Sequence, residues 1–172
     1  MAGRRWLLKA GFAALSVTAG LGAGPARALD RPAGVVVLTL TGSLRRANDA
    51  GRALFDMAML EALPQISHAT RTPWYAQSRR FTGPLLRDVL AAAGAHGTKL
   101  RLSALNDYQV DMPMDDAQRH DVIVARLLDD KPLAVRDKGP LFVIYPFDAR
   151  PELRSAVYYG RSAWQLRSIE VL

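Results

Sequence analysis

Cysteine is absent from all 172 residues. That excludes disulfides, a catalytic thiol, thiolate ligation of a soft metal and the lipidated cysteine that opens a mature lipoprotein. The chain also has no glycine-rich phosphate loop, no Gly-x-Ser-x-Gly and no His-x-x-x-His. A nucleotide cradle, a serine nucleophile elbow and a helical zinc pair are therefore missing. His68, His96 and His120 are scattered, with His96 in a glycine-flanked turn, and no histidine-built metal site is expected. The apolar run at residues 10–24 is short and rich in Ala and Gly, whereas a bilayer span needs about 20 apolar residues.

That run belongs to a three-part front end. A basic head holding Arg4, Arg5 and Lys9 precedes it, and Pro25-Ala26-Arg27-Ala28 follows with a small-x-small cleavage pattern. The arrangement reads as a signal peptide over residues 1–28. Adjacent arginines followed by x-Leu-Leu-Lys fit the twin-arginine route, which carries folded proteins. The expectation is export to the periplasm and one mature domain, 29–172, that does not span the membrane once processed.

Loss of the leader would remove Arg4, Arg5, Lys9 and Arg27 and no acid, so the formal charge of +7 falls to +3. With no Lys/Arg run interleaved with aromatics, nucleic acid is not an expected partner. The remaining length suits one domain whose core needs no disulfides.

Residues 35–41 are β-rich and stop at Gly42, and 55–63 has helical spacing with Asp56 as its cap and Pro64 as its stop. Residues 67–72 should be extended because Thr72 precedes a proline. Thr82-Gly83-Pro84 reads as the start of a helix running to Gly94, with Thr82 as cap. Residues 100–105 and 108–112 alternate around Asn106-Asp107 as a hairpin. Strands are expected at 122–125, 141–145 and 164–171, with a turn at 127–133. Asp115-Asp116 and Asp129-Asp130 lack calcium-loop spacing and read as solvated turns. Short strands interrupted by two helices define an α+β domain with a mainly antiparallel or mixed sheet.

Three segments carry side chains suited to a ligand. Thr70-Arg71-Thr72-Pro73-Trp74-Tyr75 combines hydroxyls, a guanidinium and a large aromatic; Asn106-Asp107-Tyr108 places an amide and a carboxylate at a hairpin tip; and 158–164 holds Tyr158, Tyr159, Arg161 and Trp164. Aromatics stack on planar heterocycles, carboxylates accept from an aminopyrimidinone edge, and arginines clamp oxyanions. Converging, the segments would make a pocket for a flat, polar, partly anionic ligand. Apart, Trp74 is a core wedge, Asp107 a turn former and Trp164 a strand aromatic.

The ordered series Thr70-x-Thr-x-Trp74, Phe81-x-Gly83-Pro84-Leu85-x-x-Asp88-Val89-Leu90, 102–110 and Asp137-x-Gly139-Pro140-Leu141-x-x-Ile144-x-Pro146 resembles the molybdopterin-binding domain of sulfite-oxidase-like oxidoreductases. The likeness runs from about Val35 to Leu172 and implies that family's α+β fold with a pterin pocket. In the enzymes a cysteine four residues before the tryptophan ligates molybdenum; here Thr70 holds that place, and a neutral hydroxyl is a poor substitute for a thiolate.

The chain looks more like the small stand-alone periplasmic members. Some of those bind reduced pterins and signal to the periplasmic sensor of a membrane-bound cyclic-di-GMP enzyme. The resemblance thus implies a non-catalytic pterin-binding regulator, with a reduced or molybdopterin-like pterin and no molybdenum. Trp74 would stack on the ring, Asp107 and Tyr108 would meet its polar edge with Asn106 beside them, Arg71 and Arg161 would hold anionic substituents, and Thr70 would line the pocket. The alternatives are a molybdenum-cofactor oxidoreductase with an oxygen-ligated metal or a partner subunit, and an interaction module displaying Tyr158, Tyr159 and Trp164 without a ligand.

Overall fold

A computed structural model describes residues 28–172; the leader proposed for 1–28 lies, but for Ala28, outside them. The chain runs β1 Val36–Gly42, β2 Ala53–Asp56, α1 Met57–Glu61, β3 Gln65–Thr72, β4 Tyr75–Pro84, α2 Leu86–Ala92, β5 Lys99–Ala104, β6 Gln109–Pro113, α3 Met114–Arg119, β7 Ile123–Ala125, β8 Leu127–Leu128, β9 Lys131–Pro132, β10 Phe142–Ile144, α4 Ala156–Arg161 and β11 Leu166–Val171. The result is a mixed α+β domain, as the sequence implies.

The central sheet has the order β2-β1-β11-β5-β6. Its one parallel pair, β1 with β11, joins the two ends of the fold, from Thr39 opposite Ser168 to Gly42 opposite Val171. β3, β4, β8 and β9 form a second sheet, and β7 pairs with β10. Leu38, Leu40, Leu100, Leu102 and Ile169 alternate inward from the central sheet and meet Leu86, Val89 and Leu90 of α2 in the main core. A smaller core gathers Phe81, Ile123, Phe142 and Ile144. Trp74 packs against both.

The segment 79–84 corrects the sequence reading. Thr82 is not a helix cap: it pairs with Ser67 on one side and Leu127 on the other, within β4. A Cβ on Gly83 would lie 2.0 Å from the carbonyl oxygen of Val124, so the glycine is required by the close approach of β7. The helix starts at Leu86, whose N–H donates to the Val122 carbonyl at 2.8 Å. It ends as expected at Gly94, φ +61°, with the Gly94 and Ala95 amides closing back on Ala91 and Leu90.

Phe55 belongs to β2 rather than to a helix, because α1 begins only after Asp56. Asp56 does cap α1, accepting from Met59 N–H at 2.9 Å. It also accepts from Ala33 and Gly34 at 2.8 and 2.7 Å, which ties down the segment leading into β1. Asp129 and Asp130 do form an exposed turn, both at positive φ. Asp116 does not: α3 and α4 were not foreseen, and α3 carries Asp116 into the interior.

Candidate functional site

Two strand turns and a helix meet beside Trp74, which packs against both cores. The β3–β4 turn, closed by Thr72 opposite Tyr75, presents Pro73 and Trp74. The β5–β6 turn presents Asn106 and Tyr108. Asp107 there takes φ +63°, and Asn106 Oδ1 accepts from Tyr108 N–H at 3.2 Å, the local bond that makes Asn a turn residue. α4 and the residues after it supply Tyr159, Gly160, Ser162 and Trp164, with Ala156 and Ala163. Together they enclose a cavity of about 450 Å³, within the range of small-molecule sites.

Aromatic rings dominate its walls. Trp74 meets Tyr159 at 6.1 Å and Trp164 at 5.8 Å, nearly perpendicular to each, and rests on Phe142 at 5.1 Å. Such edge-to-face contacts stabilise by about 0.5–1.5 kcal/mol each beyond burial. The polar groups are few and already half engaged: the Tyr108 hydroxyl donates to the Gly160 carbonyl at 2.9 Å, and the Ser162 hydroxyl to the Tyr158 carbonyl at 3.0 Å. The first of these bonds fastens the hairpin tip to α4.

A half-buried ion pair holds α4. Arg161 donates to Asp116 Oδ2 at 2.9 Å, and the same oxygen accepts from the Tyr145 hydroxyl at 2.7 Å. The Arg161 guanidinium also lies 5.5 Å from the centre of the Tyr158 ring. Burial, then the hydrogen bond and charge of Asp116, push the Tyr145 hydroxyl well above its ordinary pKa, so it stays a donor.

Of the residues singled out from sequence, Trp74, Asn106 and Tyr108 line the cavity and the other four do not. Thr70 is buried on β3, where its hydroxyl oxygen accepts from Asp148 N–H at 3.0 Å. Arg71 is exposed, and its amide donates to Asp148 Oδ2 at 3.1 Å. Asp107 projects away and pairs with Arg167 at 3.1 Å, its side chain 85 % exposed. Arg161 turns inward to Asp116 because that carboxylate would otherwise be buried without a cation. The sequence reading singled out 158–164 as a segment and chose Arg161 from it to hold an anionic substituent, whereas Tyr159 and Trp164 are the residues of that segment that wall the cavity; Ala156 carried no signal. Among the described residues no three His, Asp or Glu side chains cluster as a metal site.

An aromatic-walled cavity at the meeting of strand turns, on a mixed sheet, defines a small-molecule-binding α+β domain. The family of the oxidoreductase molybdopterin binding domain matches residues 55–149, more than half of the chain, and the chain belongs to it. Among solved structures it is similar to the sulfane dehydrogenase SoxCD from Paracoccus pantotrophus, with a TM-score of 0.57 and 16% identity, a likeness of fold. That match covers 78% of this chain and 37% of the other. No curated protein matches the sequence.

The residues fit the family's cofactor in part. A heteroaromatic ring suits Trp74, Tyr159 and Trp164, but the chain has no cysteine to ligate a metal, and among the described residues no charged side chain lines the cavity to meet a phosphate.

Proposed function

We propose that this protein is a non-catalytic pterin-binding regulator. The observation that carries the reading is the cavity itself, which is walled by Trp74, Tyr108, Tyr159 and Trp164 and offers neutral polar groups with neither thiolate nor carboxylate. Such a surface stacks and orients a flat heterocycle; it supplies no general base and no metal ligand for oxo transfer. Trp74 walls the ring, and Asn106 and Tyr108 meet its polar edge. The fastening of Tyr108 to α4 gives ligand binding a way to alter the surface that a partner reads. Export to the periplasm rests on the leader pattern at 1–28. A membrane signalling partner, of the cyclic-di-GMP enzyme class, rests on resemblance to the small stand-alone members.

Family membership favours a second reading, a molybdenum-cofactor oxidoreductase. The test is mass spectrometry and metal analysis of protein purified from its native host. The regulator predicts a chain beginning at residue 29 that carries a pterin and substoichiometric molybdenum. One molybdenum per chain would refute it and establish the oxidoreductase.

A further inference from the structure

We propose that Arg45, Arg46 and His96 form a second site, which binds a phosphate-class oxyanion: a free phosphate or the phosphate of a lipid headgroup. It stands apart from the aromatic cavity. β5 starts three residues after His96 and ends at the hairpin tip that carries Asn106 and Tyr108. Its 6 residues, at about 3.3 Å each, put the two sites roughly 20 Å apart.

The first observation is which arginines the fold leaves unmatched. Every arginine from Arg79 to Arg167 has a carboxylate oxygen within 3.4 Å. Among the described residues Arg45 and Arg46 have no such partner, and the one acid of their loop, Asp49, is taken by Arg52. Arg31 and Arg71 are unpaired as well, but Arg31 lines a cavity that also holds Asp49, and Arg71 lies exposed on β3. Arg45 and Arg46 share one cavity, of about 320 Å³, with Gly94, Ala95 and His96, and no carboxylate lines it.

The second observation is that helix capping does not account for the pair. Their loop sits on the end of α2, where a cation would offset the exposed carbonyls. Those carbonyls already have backbone partners. Ala95 N–H donates to Leu90 at 2.9 Å and Gly94 N–H to Ala91 at 3.0 Å, while Arg46 and Arg45 amides donate to Ala93 and Gly94 at 3.0 and 3.2 Å. The guanidinium groups are left for something else. The same bonds fix the backbone beneath them, together with His96 N–H on the Ser43 carbonyl at 3.0 Å and the Asn48 side chain bridging the Asp30 and Leu54 carbonyls. His96 Nδ1 donates to the Gly94 carbonyl at 3.3 Å, which leaves Nε2 for a ligand. Two guanidinium forks beside an imidazole, on a braced loop, suit a tetrahedral oxyanion, whose oxygens a guanidinium meets two at a time.

Two probes test this at low ionic strength. Calorimetric titration with inorganic phosphate should show one saturable site with a Kd of about 1 mM or tighter. Cosedimentation with vesicles of phosphatidylglycerol and phosphatidylcholine, against phosphatidylcholine alone, tests the lipid source. The double variant Arg45→Gln/Arg46→Gln should weaken whichever binding is found at least about tenfold. Arg31→Gln/Arg71→Gln removes the same charge elsewhere and should change it less than about twofold. Phosphate binding with this pattern assigns the site a free anion; vesicle binding alone with this pattern assigns it a headgroup. Binding of neither probe overturns the proposal, as does an equal loss in both double variants, which would mark general charge attraction. Either failure leaves the pterin reading standing, because the two cavities share no residue.

Discussion

Replacing Asp116 with alanine strands two donors at once. The Tyr145 hydroxyl is fully buried, and Asp116 is its partner, at 2.7 Å. Arg161 keeps 22% side-chain exposure and its contact with the Tyr158 ring, so its loss is softened by water. An orphaned buried hydroxyl costs about 1–3 kcal/mol, and a hydrogen bond to a charged group contributes about 1.5–3. With the Arg161 term discounted, Asp116→Ala should destabilise by about 3 kcal/mol.

Tyr145→Phe removes the donor and leaves Asp116 paired with Arg161, so it should cost about 1.5 kcal/mol. In the double variant no hydroxyl remains to be stranded. Independent effects would give about 4.5 kcal/mol; the geometry predicts about 3.5, a coupling of about 1. Urea denaturation of the four proteins, with a common dependence on denaturant, measures it. Additivity within about 0.3 kcal/mol would show that the Tyr145–Asp116 bond carries no energy and would refute the part given to Tyr145 in holding the Asp116 carboxylate.

The same hydroxyl predicts behaviour in alkali. Its pKa is raised in the folded state above the ordinary 10.0, so its contribution is complete below that value and is lost as pH climbs past it. The slope is about 1.4 kcal/mol per pH unit. Urea midpoints measured between about pH 9 and 11 should fall less steeply in Tyr145→Phe; identical slopes would sink the assignment. Gly83→Ala forces a methyl onto the Val124 carbonyl oxygen and should cost about 3 kcal/mol or abolish soluble expression; a loss below about 1 would mean β4 and β7 are not so close. In pterin titrations Asn106→Ala should weaken binding about tenfold, while Asp107→Ala, which removes only the exposed pair with Arg167, should change it less than about twofold. The reverse order would place the ligand outside the cavity.

Strands whose burial alternates were legible because period two needs no knowledge of the partner, as at 100–105 and 164–171, and 35–41 was legible from its β-branched composition; all three contribute to the central sheet. The hairpin at Asn106-Asp107 was legible because its turn chemistry is local. Segment 79–84 was not. Thr-Gly-Pro ahead of an apolar helix is good starting chemistry, but two flanking strands claim those residues, and that claim comes from β3 and β8, not from neighbours in sequence. α4 was hidden for a related reason. Its six residues contain no buried side chain, so no apolar stripe marks it, and it is held by Arg161 and Tyr108 through contacts 45 and 52 residues away.

The site was half legible by the same logic. Aromatic residues near turns can be recognised as walls from residue type alone, and Trp74 was; Tyr108 was singled out for a ligand's polar edge and also lines the cavity. A charged residue's role depends on which opposite charge the fold brings to it. Arg161 and Asp107 looked like ligand contacts because no partner is visible in the sequence, yet Asp116 and Arg167 take them up. That pairing follows from energetics. A guanidinium only 22% exposed is costly unless matched, and a folded chain meets the demand from its own carboxylates where it can. The consequence reaches the site, because Gly160, the residue before Arg161, lines the cavity. The interaction that anchors α4 therefore also positions part of the cavity wall, so Asp116→Ala should weaken ligand binding as well as stability.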